Sequence, residues 1–172
     1  MQKKILLFIA MLFIAFSSNS YSQSWKSDYD FVGKFSENLA KVKLEDKWGF
    51  VNKEGDLIIP TEYDDVRDFK FGVAKVKQNN KFGFVDNNAK IVVRIIYDEA
   101  GDFKEGLARV KSKDKWGFVD KTGKVVIPIN YDYATDFNSG IAKIRLADEE
   151  HYIDKDGDIV EIEEEEYYDD TE

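Results

Sequence analysis

Three pairs of an aromatic residue and a glycine are the positions in this sequence with the most evident chemical potential. They recur every 34 residues as Trp48-Gly49, Phe82-Gly83 and Trp116-Gly117. An exposed aromatic ring can stack on a sugar, whereas a buried ring packs in a core and its glycine leaves room for a neighbouring aromatic side chain. We favour packing, because these positions keep step with the rest of the apolar pattern.

A second repeated pair joins a tyrosine to an aspartate. It occurs as Tyr63-Asp64, Tyr97-Asp98 and Tyr131-Asp132. Such a ladder suits a repeated binding strip, but it equally suits a packing ring followed by an aspartate that caps one helical turn. We favour the packing ring and the cap.

Catalytic residues are scarce. His151 is the only histidine, and it stands where the preceding repeat has Gly117. A serine hydrolase needs a histidine base in a constructed site, and His151 instead suits a surface position on a degenerate terminal repeat. The sequence has no cysteine, which excludes a thiol nucleophile and a cysteine-based metal site. We therefore predict no enzymatic activity, no catalytic residue and no cofactor.

Asp154, Asp156 and Asp158 are the best candidates for a metal site, because alternating carboxylates can wrap calcium. Gly157 comes two residues before the position where the calcium loop of an EF-hand needs its glycine, and Ile159 stands at that position. The corresponding positions of the other repeats are ordinary hairpin turns. We predict no metal site here, and weak calcium binding stays open as the alternative.

The 34-residue period extends over the whole central region. It divides the chain into four units, residues 29–62, 63–96, 97–130 and 131–164. Short β-branched and aromatic segments alternate with polar turns, which is typical of strands and not of helix pairs. The predicted fold is all-β, an open tandem array of three-stranded antiparallel meanders. A closed β-propeller is the alternative, although its blades usually have four strands.

The third unit gives the clearest strand pattern. Its predicted strands are Leu107–Lys111, Trp116–Asp120 and Lys124–Ile127, the last ending at Pro128. The first hairpin turn of each unit carries a residue that tolerates a left-handed backbone: Asp46, Asn80, Asp114 or Asp148. The second hairpin turn ends on glycine in three units, but on Ala89 in the second unit, where we expect either strain or a different turn.

These segments resemble WG (KWG) repeats. The resemblance rests on Lys47–Val51, Lys81–Asp86 and Lys115–Asp120, with Gly106–Val110 before and Gly123–Pro128 after. It covers nearly the whole region after the leader, and Glu150-His151 departs from it. Such repeats are widespread in bacterial proteins, often exported ones. The resemblance implies a β-rich scaffold without a shared activity, so no catalytic residue follows from it.

The two ends of the chain differ from its centre. Lys3 and Lys4, the apolar run 5–16 and the polar stretch 17–22 predict a signal peptide, cleaved after Ser22 or Ser20. We therefore expect an exported protein, periplasmic or extracellular, with no membrane span after cleavage. Residues 165–172 are predicted to be an acidic tail, because blocks of like charge stay solvated.

Charge narrows the choice of partner. The formal net charge is −9. Residues 148–172 alone carry −13, from 14 acidic residues and one lysine, so the rest of the chain is slightly basic. No basic cluster could neutralise phosphates, so we predict no nucleic-acid partner. We expect a protein-binding repeat scaffold, with a carbohydrate or cell-wall binding module as the alternative. Burial of Trp48 and Trp116 would favour the scaffold, and a row of exposed rings would favour the sugar module.

Overall fold

The computed structural model describes residues 24–162 and confirms an all-β fold of four repeated antiparallel sheets. The predicted signal peptide, residues 1–22, and the predicted acidic tail, residues 165–172, lie outside the described residues. A short 3-10 helix, Ser24–Asp28, precedes the first strand. Between residues 24 and 162 no helix has the length and apolarity needed to cross a membrane.

Sixteen strands follow, four for each sheet. The first sheet has β1 Phe31–Ser36, β2 Leu39–Leu44, β3 Lys47–Val51 and β4 Leu57–Tyr63. The second has β5 Asp65–Val66, β6 Val73–Gln78, β7 Lys81–Asp86 and β8 Ile91–Tyr97. The third has β9 Glu99–Ala100, β10 Leu107–Ser112, β11 Lys115–Asp120 and β12 Val125–Tyr131. The fourth has β13 Tyr133–Ala134, β14 Ala142–Leu146, β15 Glu149–Ile153 and β16 Ile159–Val160.

Each sheet contains one strand more than the three predicted. Its strands are hydrogen-bonded in chain order, and none of the four described sheets closes into a barrel. The additional strand is short in the last three sheets and occupies the segment after the tyrosine-aspartate pair. In the third sheet, for example, Glu99 and Ala100 pair with Lys111 and Val110. The expected helical turn after Asp64, Asp98 and Asp132 is therefore wrong.

The hairpin turns confirm the expected left-handed residues. Asp46, Asn80, Asp114 and Asp148 have φ angles of 67°, 63°, 63° and 68°. Each follows another residue with positive φ, and a two-residue turn of this kind matches the twist of its flanking strands. In the second hairpin Ala89 has a φ of 63°, so the expected strain at this alanine is also confirmed.

Replacing Ala89 with glycine should stabilise the protein. Glycine adopts positive φ without the steric cost that a Cβ atom brings, and Gly55 and Gly123 already hold the corresponding positions. We expect the free energy of unfolding to rise by about 1 kcal/mol, measured by urea denaturation. An equal or lower value would contradict strain at this turn.

The third strand of the third repeat continues beyond its predicted end. β12 passes through Pro128 and ends at Tyr131. Proline is tolerated because β12 is an edge strand of its sheet, where a missing N–H donor leaves no central ladder bond unmade. The prediction that Pro128 ends the strand is wrong. The prediction that a proline here marks an edge strand is confirmed.

Contacts group the chain into two compact units, one comprising residues up to Asn79 with Val85–Lys90, the other Asn80–Phe84 with residues from Ile91 onward. In the first unit Ala40, Val42 and Val51 form a small buried cluster. In the second unit a larger core joins the third and fourth sheets: Leu107, Trp116, Phe118, Ile127, Ala134, Phe137, Ala142, Ile144 and Ile153.

One ring pair links each repeat to the next. The ring centroids lie 4.8 Å apart in all three pairs, which are Phe50–Phe69, Phe84–Phe103 and Phe118–Phe137. All six rings are buried. Contacts between successive repeats are how stacked repeat proteins assemble a core that a single unit cannot bury.

Candidate functional site

Two glycines of the aromatic-glycine pairs, Gly49 and Gly117, lie opposite a bulge. Between the pairs Trp116–Tyr131 and Phe118–Ile127, one residue of β11 faces three residues of β12. A Cβ atom on Gly117 would lie 2.7 Å from two carbonyl oxygens and one Cα atom of β12. The other glycines in this position, Gly49 and Gly83, also face backbone of the neighbouring strand. Glycine is therefore required by backbone, and the expectation that it leaves room for an aromatic ring is wrong.

The aromatic rings of these pairs are covered to different degrees. Trp116 is 8% exposed, while Trp48 and Phe82 are half-buried. The guanidinium carbon of Arg109 lies 4.9 Å from the Trp116 ring centroid, and the Nζ of Lys111 lies 5.7 Å from it. Two lysines of β2 lie 6.0 Å from the Trp48 centroid. The three rings thus do not form a row of exposed platforms, and cations of the chain already use the faces of both tryptophans.

The tyrosines of the second repeated pair also pack inside. Tyr63 and Tyr97 are buried, and Tyr131 is half-buried. Tyr63 and Tyr131 pair across the sheet with the tryptophans Trp48 and Trp116. Burial raises the pKa of all three hydroxyls above the ordinary value of 10.0, so they stay protonated at neutral pH. These tyrosines serve the core and offer no exposed binding strip.

The aspartate that follows each tyrosine has partners on both sides. Asp64 accepts a hydrogen bond from Lys47 Nζ at 2.6 Å and another from the Asn79 backbone N–H at 2.8 Å. Two further aspartates repeat the arrangement, as Lys81–Asp98–Lys113 and Lys115–Asp132–Ala147. The aspartate therefore ties the lysine of one Lys-aromatic-Gly segment to the first hairpin turn of the next repeat. It holds a β-hairpin, where the sequence had suggested a helix cap.

These aspartates should make the protein sensitive to acid. Hydrogen bonds from Lys81 and Lys115, then from the hairpin N–H groups, lower the pKa of Asp98 and Asp132 below 3.8. A carboxylate with a lowered folded-state pKa stabilises the fold above 3.8, and this contribution is lost as the pH falls through the folded-state value. We expect the Asp132→Asn variant to lose less stability than wild type on acidification below about pH 4, measured by denaturation at stepped pH. Equal losses in both proteins would contradict this role.

Trp25 is a structural residue that sequence reasoning missed. Its ring packs directly on Gly55, since a Cβ atom added to this glycine would lie only 2.6 Å from Cδ1 of Trp25. At the same turn of the third and fourth repeats, Gly123 faces Val92 and Val93, and Gly157 faces Ile127. Beside Gly55, Trp25 therefore takes the place that β8 holds beside Gly123 and that β12 holds beside Gly157. The signal was present, because Trp25 lies one 34-residue period before the buried Ile59.

Replacing Trp25 with alanine should uncap the first sheet. The ring packs against the buried cluster of Ala40, Val42 and Val51 and contacts Tyr29 edge-on, with centroids 6.3 Å apart. Because the ring is only half-buried, we expect a loss of about 2 kcal/mol, below the usual cost for a fully buried tryptophan. Chemical denaturation measures it, with exposed Lys26→Ala as the control. A loss below that of the control would rule out the capping role.

The remaining candidates lie in the fourth repeat. His151 lies on β15, half-buried, with its Nε2 atom 3.5 Å from Glu149. One carboxylate oxygen of Asp154 accepts hydrogen bonds from the backbone N–H groups of Asp156 and Asp158. Asp120 makes the same turn in the third repeat. Among residues 24–162 no group of three or more histidine, aspartate or glutamate side chains is arranged to hold a metal ion.

Comparison with solved structures shows limited likeness. A plant lectin with two metal binding sites from Cicer arietinum matches with 13% sequence identity, over 77% of this chain and 90% of the lectin chain. The TM-score is 0.30, which supports no conclusion about the ligand or the function of this chain. No curated protein matches this sequence.

The repeat itself is identified by a family model described as WG containing repeat. The model matches four times in succession, at residues 26–48, 48–82, 82–116 and 116–148. The matched segments cover most of the described residues, and the two middle ones run from one aromatic-glycine pair to the next. Each of these two therefore contains the last strands of one sheet and the first strands of the following sheet. The chain belongs to the family of WG containing repeat proteins.

Proposed function

We propose that this protein is an exported, non-enzymatic scaffold that binds another protein through its repeats. The observation that carries the proposal is a set of exposed aliphatic side chains, one at or near the start of the last strand of each sheet. They recur every 34 residues and are 43–64% exposed: Leu57, Ile91, Val125 and Ile159. Exposed apolar positions repeated in register suit a protein partner, because their burial on binding is favourable.

The contacts of Trp48 and Trp116 with cations argue against the sugar-binding alternative. A sugar that stacked on Trp48 or Trp116 would have to displace the cations over them. Aliphatic side chains lack the flat face that sugar stacking uses. The two signature tryptophans thus already contact cations of the chain. The four recurring exposed aliphatic positions favour a protein partner over a glycan.

Direct binding tests this proposal. Partners captured from the envelope fraction of the source cell would be purified and titrated by calorimetry. We expect the double variant Ile91→Lys/Val125→Lys to weaken binding at least tenfold, about 1.4 kcal/mol, because two charges would enter an apolar contact. The control is Lys90→Ala/Lys124→Ala, which changes the neighbouring exposed lysines and should bind as wild type does.

Two outcomes would overturn the proposal. Unchanged binding by the Ile91→Lys/Val125→Lys variant would show that these positions do not face the partner. Tight binding to a glycan that is lost on replacing Trp48, in a variant that still folds, would favour the carbohydrate module.

Export is tested separately. The basic residues Lys3 and Lys4 followed by a twelve-residue apolar run support it. N-terminal sequencing of the protein recovered from outside the cytoplasm should begin at Gln23, or at Tyr21 for the alternative cleavage. Met1 at the N-terminus of the exported form would contradict cleavage.

A further inference from the structure

An open polar cleft lies in the first compact unit, beside the turn between β1 and β2. Its volume is about 410 Å³, and Leu39 and Ile58 form its apolar part. The polar lining consists of one carboxylate and four amides: Glu37, Asn38, Asn52, Asn87 and Asn88. We call it the amide cleft. Neither a lysine nor an arginine lines it, and no aromatic ring does. Side-chain amides both donate and accept hydrogen bonds, so such a cleft can bind polar groups of either kind.

Glu37 is the only charged residue in the lining of the amide cleft. Its Oε2 atom accepts a hydrogen bond from the backbone N–H of Gly72 at 2.8 Å. Within residues 24–162 no lysine or arginine forms an ion pair with this carboxylate. The cleft therefore presents a carboxylate that is fixed by one hydrogen bond and not neutralised.

Glu105 stands two repeats after Glu37, and its carboxylate has a lysine ammonium nearby. Glu105 accepts the corresponding hydrogen bond, from the Gly140 N–H at 3.0 Å. In addition, the ammonium of Lys155 lies 3.9 Å from the same Glu105 oxygen. Lys155 stands two repeats after Asn87. Glu37 therefore has the Asn87 amide at the position where Glu105 has the Lys155 ammonium.

The amide cleft is specific to its place in the chain. One repeat after Glu37 the position is Phe71, which has no carboxylate, and Lys121 stands one repeat after Asn87. Asn38 also has no counterpart, because the later repeats have glycine at this position of the hairpin. The first unit thus alone combines the carboxylate with surrounding amides.

We propose that the amide cleft receives a lysine side chain of the protein partner. Its ammonium pairs with Glu37, as Lys155 does with Glu105, and its aliphatic stem lies along the apolar lining. The amides of Asn38, Asn87 and Asn88 hydrogen-bond the partner backbone beside that lysine. The Asn52 amide shapes the wall of the cleft, because it already donates to the Asp56 carboxylate and accepts from the Asp56 N–H. The inference rests on the proposed protein-binding function and names one chemical group that the partner must present.

A lysine fits better than a sugar, because the repeat itself places an ammonium against the equivalent carboxylate. Sugar sites commonly add a stacked aromatic ring, and no aromatic ring lines this cleft.

Amide-resolved NMR titration of the whole protein tests the cleft. The probe is Nα-acetyl-lysine methylamide, compared with the same compound acetylated on Nε, which removes the charge. We expect the Gly72 amide signal to shift and saturate with a Kd on the order of 1–10 mM, because that N–H donates to Glu37. The Gly140 signal, whose acceptor already has Lys155 nearby, should shift at least threefold less.

Two variants sharpen the test. Glu37→Gln removes the charge, and Asn87→Lys supplies an internal ammonium as Lys155 does, so both should abolish the saturable shift at Gly72. Glu105→Gln is the matched control and should bind as wild type does. Melting temperatures verify that all three variants fold.

The outcomes separate the two proposals. A response to the Nε-acetylated probe equal to that of the charged probe, or saturable binding that survives Glu37→Gln, would overturn the lysine assignment. A chitobiose titration that shifts Gly72 when the lysine probe does not would assign the cleft to a sugar. A purified partner whose affinity for Asn87→Lys equals that for wild type would sink the cleft proposal while leaving protein binding intact.

Discussion

Replacing Gly117 with alanine should lower the free energy of unfolding by about 3 kcal/mol, at the upper end of the usual cost of overpacking. The new Cβ atom would lie 2.7 Å from Ile127 O, Pro128 O and the Ile129 Cα atom. Backbone atoms of a paired strand cannot rotate away, so β12 must shift and weaken its bulged pairing with β11. Chemical denaturation monitored by tryptophan fluorescence measures the loss.

Gly33 provides the matched control for this substitution. It also lies within an irregular strand pairing, but a Cβ atom there would meet the Cγ atom of Lys41 at 2.9 Å, and the nearest backbone atom, the Lys41 oxygen, lies 3.3 Å away. A flexible lysine side chain can move, so Gly33→Ala should cost less than about 1 kcal/mol. If both variants lost the same stability, close backbone contact would not be the reason for glycine at position 117.

Replacing Phe118 with alanine should cost about 3–5 kcal/mol, which is the usual range for a fully buried phenylalanine. The side chain is 0% exposed, and it packs on Phe137 of the following repeat and in the core around Ile127 and Ile144. Its loss leaves a cavity between the third and fourth sheets. Val125→Ala on the same sheet is the control and should cost below about 1 kcal/mol, since Val125 is 43% exposed.

A double-mutant cycle would show whether the ring pair joins the repeats. We expect Phe118→Leu and Phe137→Leu to be coupled by about 0.5–1.5 kcal/mol, because each ring contacts the other across the two sheets. Additive losses would mean that the rings stabilise their own sheets independently. In that case the contact between these repeats would depend on the aliphatic residues of the core.

Local pattern was enough to identify the repeat and its turns. The short aromatic and β-branched run within Lys115–Asp120, followed by a turn, predicts a strand, because such side chains pack well on a pleated surface. Asp46, Asn80 and Asp114 could be assigned positive φ angles from residue type alone, since asparagine and aspartate tolerate the left-handed region. The strain at Ala89 followed from its place in a position that elsewhere holds glycine.

Local pattern failed where one strand affects another. A two-residue strand such as Tyr133–Ala134 is too short to show any alternation, and only its pairing with Arg145 and Ile144 defines it. From sequence alone Asp132 fits a helix cap, because an aspartate that caps a helical turn and one that binds a hairpin are followed by similar short segments. Which N–H group the carboxylate reaches depends on the fold of the following repeat, here the turn at Ala147.

The sequence by itself determined the all-β class, the 34-residue period and the left-handed turn residues, because these depend on side-chain alternation and on the local backbone. Only the tertiary structure decided which contacts the recurring residues of the repeats make. Gly117 accommodates a bulge, Asp64 joins Lys47 to a hairpin at Asn79, and Trp25 packs on the turn at Gly55. Each of these roles depends on strand register and on stacking between repeats, which bring together residues that are 10 to 30 positions apart and carry no local signal.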